Sequence, residues 1–253
     1  MRRMSKAVWT SSVKLTRNKP EMRSLGIIAA RGSSKRLPNK CLLPLGDMPL
    51  VGHVCQSALA ASFDRLVLST ESPEIAAAAR KTGVEAPFER PAELAEDWAT
   101  STAILQHALD WVETTSGETF DIVVLIQATS PFLKTHSINE CIAALKRSPS
   151  AHCAITMRET REAPQWMYSI DGEGFAENIL QVTIDASSEH KQLLDKTYFP
   201  TGGAYAVRSS GLREHNLIVN DPIVPVIVEM QDAVDIDDEL DLEMARFLLQ
   251  HGA

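Results

Sequence analysis

Several things are missing from this chain of 253 residues, and each absence excludes a class of function. No apolar run approaches the ~20 residues that a membrane-spanning helix needs, so no membrane span is expected. Cysteine is sparse. Cys41, Cys55, Cys141 and Cys153 form no C-x-x-C pair, and the seven histidines form no H-E-x-x-H or Cys/His zinc spacing. That excludes a recognisable zinc site and favours reduced thiols in a cytoplasm over a disulfide framework. Glycine never recurs in the Walker A pattern or in G-x-G-x-x-G. Positive charge is scarce outside the first residues. The formal net charge is −8, although the tail 1–23 holds Arg2, Arg3, Lys6, Lys14, Arg17, Lys19 and Arg23 against one acid, Glu21, so the remainder is more acidic than the whole. A body of that sign is unsuited to nucleic acid, which needs Lys/Arg surfaces to displace counterions. Any phosphate it binds must sit in a local basic pocket. Repeats and low-complexity tracts are also absent.

The tail lacks the apolar segment of a secretory signal. It reads as a disordered extension. Its acid-poor, basic composition also suits an organelle transit peptide, and Met22, directly before the first strand-like run, fits an upstream start.

What is present is the length for one large domain carrying a sub-domain, 24–253, with short buried strands alternating with helices. That pattern predicts an α/β fold with a mostly parallel sheet and helices on both faces. Strands are expected at 25–30, 65–69, near Val84, at 121–126, near 153–157, at 204–207 and at 223–228. Helices are expected at 50–61, 73–81 (opened by Ser72 and Pro73), 100–115, 135–146 and 239–250. Periodicity weakens over 158–200, which reads as an inserted sub-domain.

Two segments carry chemistry. The loop Arg31-Gly-Ser-Ser-Lys-Arg-Leu-Pro-Asn-Lys40 follows the first strand, where open parallel sheets bind ligands. Arg31, Lys35, Arg36 and Lys40 can neutralise a polyphosphate, and Gly32 and the serines let backbone N–H groups approach it. Near the other end, Asp235 and Asp237 stand two apart, so an extended backbone turns both to one side, where their oxygens can share Mg²⁺ with phosphates. Helix capping by Asp237 or Asp238 is the competing reading; it leaves Asp235 unexplained.

With the segments ERPAELAED (89–97), LIQATSPF (125–132), TGGAYAV (201–207) and VDIDDELDLEMA (234–245) added to ARGSSKRLPNK (30–40), the chain resembles the acylneuraminate cytidylyltransferases, or CMP-sialic acid synthetases, over about 25–250. The resemblance implies a Rossmann-like, GT-A-like nucleotidyltransferase domain. It also implies a homodimer in which the insertion 158–200 serves dimerisation and sugar binding, and Mg²⁺-dependent transfer of CMP from CTP to a nine-carbon sugar acid. Arg31, Ser34, Lys35 and Lys40 then match triphosphate ligands, with Gly32 in the same loop, and Asp235 and Asp237 match the Mg²⁺ aspartates. Arg90, Thr100 and Ser101 match residues around the nucleotide; Gln127, with Thr129 beside it, matches the sugar side, where Lys191 is the nearby cation. The catalytic set that the resemblance implies is Arg31, Lys35, Lys40 and Asp237.

Each position has a plainer reading. Arg90 could pair with Glu89 or Glu93, Thr100 and Ser101 could cap a helix, and Gln127 and Thr129 could satisfy a turn. The family pattern is broken at Cys41 (usually Asn), Trp98 (usually small), Ala128 (usually Pro), Thr201-Gly202-Gly203 (usually Asn-Gly-Ala) and Phe199 (often Arg). The loop also resembles that of the 3-deoxy-manno-octulosonate cytidylyltransferases; a non-catalytic nucleotide-binding paralogue is the reading from another class.

Overall fold

The computed structural model describes residues 22–181 and 194–252. The expectations for the tail before Met22 and for Lys191 lie outside the described residues.

Strand β1 (Ser24–Ala29) shows why the chain builds two helical layers. Its alternate side chains feed different cores: Leu25 and Ile27 enter one, Ile28 the other. Strands β4 (Arg65–Ser69) and β5 (Ile122–Gln127) flank it in parallel, with Ile27 beside Val67 and Leu125. Strand β9 (Tyr198–Arg208) runs antiparallel between β5 and β6 (Cys153–Glu159), and β10 (Ile223–Ile227) closes the sheet in parallel with β6. The six-stranded order is β10-β6-β9-β5-β1-β4, mostly parallel with one reversed strand.

Helices α1 (Leu50–Leu59), α2 (Pro73–Thr82) and α4 (Thr135–Arg147) cover one face through Val54, Ile75 and Ile138. Helices α3 (Ser101–Ser116) and α5 (Ser209–His215) cover the other through Leu105, Leu109 and Leu212. Ser72 caps α2 as expected, accepting from Ile75 N–H, with Pro73 first in the helix.

Two expectations need correction, and two further elements were not expected. The strand near Val84 is a single bridge from Val67 to Glu85. Between the loop after β1 and the first helix the chain forms a 3-10 turn (Lys40–Leu42) and a hairpin of β2 (Pro44–Leu45) and β3 (Met48–Pro49), for which no element was expected. α5 was not foreseen. β9 begins at Tyr198 rather than 204, because a register shift against β6 between Ile155 and Met157 and a left-handed Gly202 (φ 81°) absorb the Pro and Gly residues that read as loop. Both ends of the expected 158–200 insertion, Arg158–Glu159 and Tyr198–Pro200, therefore belong to the central β6–β9 ladder. Its described part carries the small hairpin of β7 (Tyr168–Ile170) and β8 (Ala176–Asn178).

A third, small core positions the chemistry. Leu37 of the loop, Leu45 and Leu50 meet Ile236, Leu242 and Ala245. This cluster fastens the C-terminal segment and α6 (Glu239–Gln250) onto the loop that follows β1.

Candidate active site

The two segments singled out in the sequence meet. β1 ends at Ala29 beside Gln127 at the end of β5, and the loop 31–40 opens at that carboxyl edge of the sheet. Ile236 is fully buried, and its N–H donates to the Thr129 carbonyl at 2.9 Å. That anchor fixes the segment on which Asp235 and Asp237 stand, one on each side of Ile236. Lys40 Nζ then reaches Asp237 Oδ1 at 3.0 Å and Arg36 Nη2 reaches Oδ2 at 2.7 Å, across about 200 residues of chain.

The loop, the end of β5 and the start of α3 enclose a cavity of about 290 Å³. Arg31, Ser34, Lys40, Arg90, Ser101, Gln127, Thr129 and Asp237 all line it. Gly32, Lys35, Thr100 and Asp235 are not among its lining residues. Gly32 turns its N–H to Glu71 Oε1 at 2.6 Å, and Thr100 is the N-cap of α3, accepting from Ala103 N–H at 3.2 Å. Lys35 is 85% exposed and binds Asp97 at 2.5 Å, while Arg31 holds the other Asp97 oxygen at 2.9 Å. Hydrogen bonds from Lys35 and Arg31 hold the Asp97 carboxyl below its usual range.

Arg90 is buried and not paired on the surface. Its Nη2 donates to the Ala30 carbonyl at 2.8 Å and to Glu71 Oε2 at 2.5 Å, whereas its buried Nε has no partner among the described residues. Capping does account for Asp238, which forms a capping box with Asp241.

The aspartates differ electrostatically. Burial pushes Asp235 up, Thr129 opposes that through a hydrogen bond, and the charge of Asp237 adds to it. Burial also pushes Asp237 up, but the bonds from Lys40 and Arg36 outweigh it and hold the group below its ordinary value. Asp235 Oδ1 is buried with no hydrogen-bond partner among the described residues, an orphan acceptor beside a second carboxylate. Gly202 keeps the space next to it open: a Cβ there would stand 3.4 Å from Asp235 Oδ2. Hard oxygens so placed fit a hard divalent cation. Among the described residues no cluster of three or more His, Cys, Asp or Glu could hold a metal, so such an ion would take its other ligands from water or phosphate.

Of the positions that depart from the family pattern, Cys41 lines the cavity and its thiol is pushed up by burial, with only smaller opposing effects. Trp98 is 70% exposed and outside the cavity wall, and Phe199 lies under the Arg158 guanidinium at 5.6 Å. Sequence reasoning assigned no role to Glu71 or Asp97. Glu71 stands two residues after β4, at the same sheet edge as the loop, and that position was the available signal.

A family profile for cytidylyltransferases matches residues 25–202. The chain belongs to the cytidylyltransferase family. It is a nucleotidyltransferase of the acylneuraminate cytidylyltransferase-like group, as its relatives indicate. A pseudaminic acid cytidylyltransferase of Campylobacter jejuni is 29% identical over 90% of this chain and 96% of its own length. A CMP-N,N'-diacetyllegionaminic acid synthase of Legionella pneumophila is 29% identical over 90% of this chain and 97% of its own. This cytidylyltransferase shares its fold with a CMP:2-keto-3-deoxy-manno-octonic acid synthetase solved with CTP, at TM-score 0.66 and 18% identity, over 91% of this chain and 100% of the other. No helix among the described residues is long and apolar enough to cross a membrane.

Proposed function

We propose that this cytidylyltransferase transfers CMP from CTP to the anomeric hydroxyl of a nine-carbon 2-keto sugar acid of the nonulosonate class and releases pyrophosphate. One observation carries the reading: Arg31, Ser34 and Lys40 of the cationic loop share one cavity wall with Asp237, which both Lys40 and Arg36 bind, and Asp235 stands two residues away outside that wall. Two relatives that each cover nine-tenths of the chain are named for nonulosonates, pseudaminic and diacetyllegionaminic acid, which supports that class of acceptor.

The acceptor hydroxyl attacks the α-phosphorus in line and gives up its proton to water, the bond from that phosphorus to the bridging oxygen breaks, and charge grows on the departing pyrophosphate. Arg31 and Lys40, already pointed into the cavity, stabilise that charge, and Lys35 adds to it from the rim. Ser34 and Ser101 supply hydroxyls, while Gln127 and Thr129 stand where the acceptor enters. Asp235 and Asp237 would hold Mg²⁺, which when bound supplies positive charge beside the phosphate oxygens. Before substrate arrives Arg31 and Lys35 rest on Asp97, and Lys40 and Arg36 on Asp237, so the cations exchange one anionic partner for another.

We read the working form as a homodimer joined through the insertion. Ile170 (75% exposed) and Phe175 (66%) stand on the β7–β8 hairpin with Tyr168, Ile179 and Leu180 also exposed, an apolar patch that a second copy would cover. Four free, buried cysteines suit a reducing compartment such as the cytoplasm.

The test is pyrophosphate release with Mg²⁺ from CTP, ATP, GTP and UTP against pseudaminic, legionaminic, N-acetylneuraminic and 3-deoxy-manno-octulosonic acids. Turnover with CTP and a nonulosonate is expected. Turnover with the eight-carbon acid alone, or CTP binding without turnover, would overturn the reading.

A further inference from the structure

The Glu71 carboxylate binds two parts of the cavity wall at once. Oε1 accepts the Gly32 N–H at 2.6 Å, and Oε2 accepts from Arg90 Nη2 at 2.5 Å. The same Nη2 also donates to the Ala30 carbonyl at 2.8 Å, so Ala30, Gly32 and Arg90 form one closed ring of contacts around Glu71. The packing leaves little slack: a Cβ on Gly32 would meet Ser72 Cβ at 3.2 Å. Arg90 is almost wholly buried and Glu71 about one-fifth exposed, so the pair is held in a low-dielectric setting where a charge-assisted bond fixes geometry strongly. Gripped through Nη2, the guanidinium keeps its buried Nε unpartnered, while Arg90 itself lines the cavity. Glu71 does not line the cavity.

We propose that Glu71 is a positioning residue for the nucleotide: it presets the first turn of the cationic loop and the Arg90 guanidinium in a single arrangement before CTP binds. The inference rests on the reading of this cavity as the nucleotide site. Its energetic sense is preorganisation, since a loop and a long side chain fixed in advance lose less freedom on binding.

The experiment is calorimetric titration of CTP, with Mg²⁺ and no acceptor, into the full chain and the variants Glu71→Gln, Arg90→Met and the double variant. Glutamine is close to isosteric. Its carbonyl can still accept from Gly32, but its amide then turns a donor toward the Arg90 donor. CTP affinity of Glu71→Gln should fall about tenfold, or about 1.4 kcal/mol. The double variant should bind no more weakly than Arg90→Met alone, because glutamine keeps the contact to Gly32 and loses only the one to Arg90. In turnover the loss should fall on KM for CTP, with kcat little changed. Wild-type affinity in Glu71→Gln, or losses that simply add in the double variant, would overturn the proposal. Should Glu71→Gln lose its folding transition, Glu71→Asp keeps the charge one methylene shorter: weaker CTP binding at an unchanged Tm supports the proposal, and wild-type affinity overturns it. A wild-type chain that binds no CTP would overturn the nucleotide site and this inference together; tight binding by both wild type and Glu71→Gln would overturn the inference alone.

Discussion

Replacing Ile236 by Ala tests whether the small third core brings the two ends of the site together. Ile236 is fully buried among Leu37, Leu45, Leu50, Leu242 and Ala245. The substitution deletes three carbons, about 2.4 kcal/mol of transfer free energy at ~0.8 kcal/mol each. The cavity left behind adds to this, for a total loss of roughly 3–5 kcal/mol. Its distinctive consequence is local. Ile236 lies between Asp235 and Asp237 and ties their segment to Thr129, so slack there moves both carboxylates relative to Lys40 and Arg36. A displacement of ~1 Å can cost on the order of 10²-fold in rate.

Leu145→Ala is the matched control. Leu145 is equally buried, but its carbonyl accepts from Arg208, which pairs with Ile122 at the opposite edge of the sheet. Urea unfolding should show comparable losses in both variants. Pyrophosphate release under conditions where both are folded should fall at least tenfold in Ile236→Ala and less than about twofold in Leu145→Ala. Equal retention of activity in the two variants would refute the reasoning.

Other outcomes follow from the same geometry. Burial pushes the Cys55 thiol up to about 11 and Cys141 up to about 12, so at pH 8 only about one Cys55 in a thousand is thiolate, and a chromogenic disulfide should label the folded chain slowly and the unfolded chain fast. Both folded values lie above the unfolded value of about 8.5, so this contribution to stability is full below that pH and declines as pH rises through it toward the folded values; urea midpoints that rise between pH 8 and 10 would contradict it. The double change Ile170→Asp, Phe175→Asp should turn a dimer into a monomer by light scattering without lowering Tm by more than a few degrees, because both side chains are exposed in the single chain. An unchanged mass would remove the β7–β8 hairpin from the interface.

The parts of the fold that were legible in the sequence are those whose signals are local. DIVVLI reads as a central strand because both of its faces are buried, and Ser72-Pro73 reads as a helix start because the cap is made within three residues. β9 was truncated because Pro200, Gly202 and Gly203 carry the marks of a loop, and only pairing to β5 and β6 makes them strand. The two-residue hairpin strands β2 and β3 are too short to show a period. In the site, residue types and spacing drew attention to Arg31, Lys40, Asp235 and Asp237. The cavity wall shared by Arg31, Lys40 and Asp237, with Asp235 just outside it, could not be read from either segment, since it depends on Ile236 meeting Leu37 and Leu45. Glu71 was invisible for the same reason: a lone carboxylate after a strand gains meaning only when Gly32 and Arg90 arrive at its two oxygens.

The central claim is that the cationic loop and the aspartate pair grip one nucleotide. Titrating CTP affinity against Mg²⁺ in the wild type and in Asp237→Asn tests it most directly. The account predicts that Mg²⁺ tightens CTP binding in the wild type, that Asp237→Asn abolishes most of this tightening, and that the remaining affinity still depends on Arg31. CTP affinity indifferent to Mg²⁺ in the wild type, or equally sensitive to it in Asp237→Asn, would contradict the account.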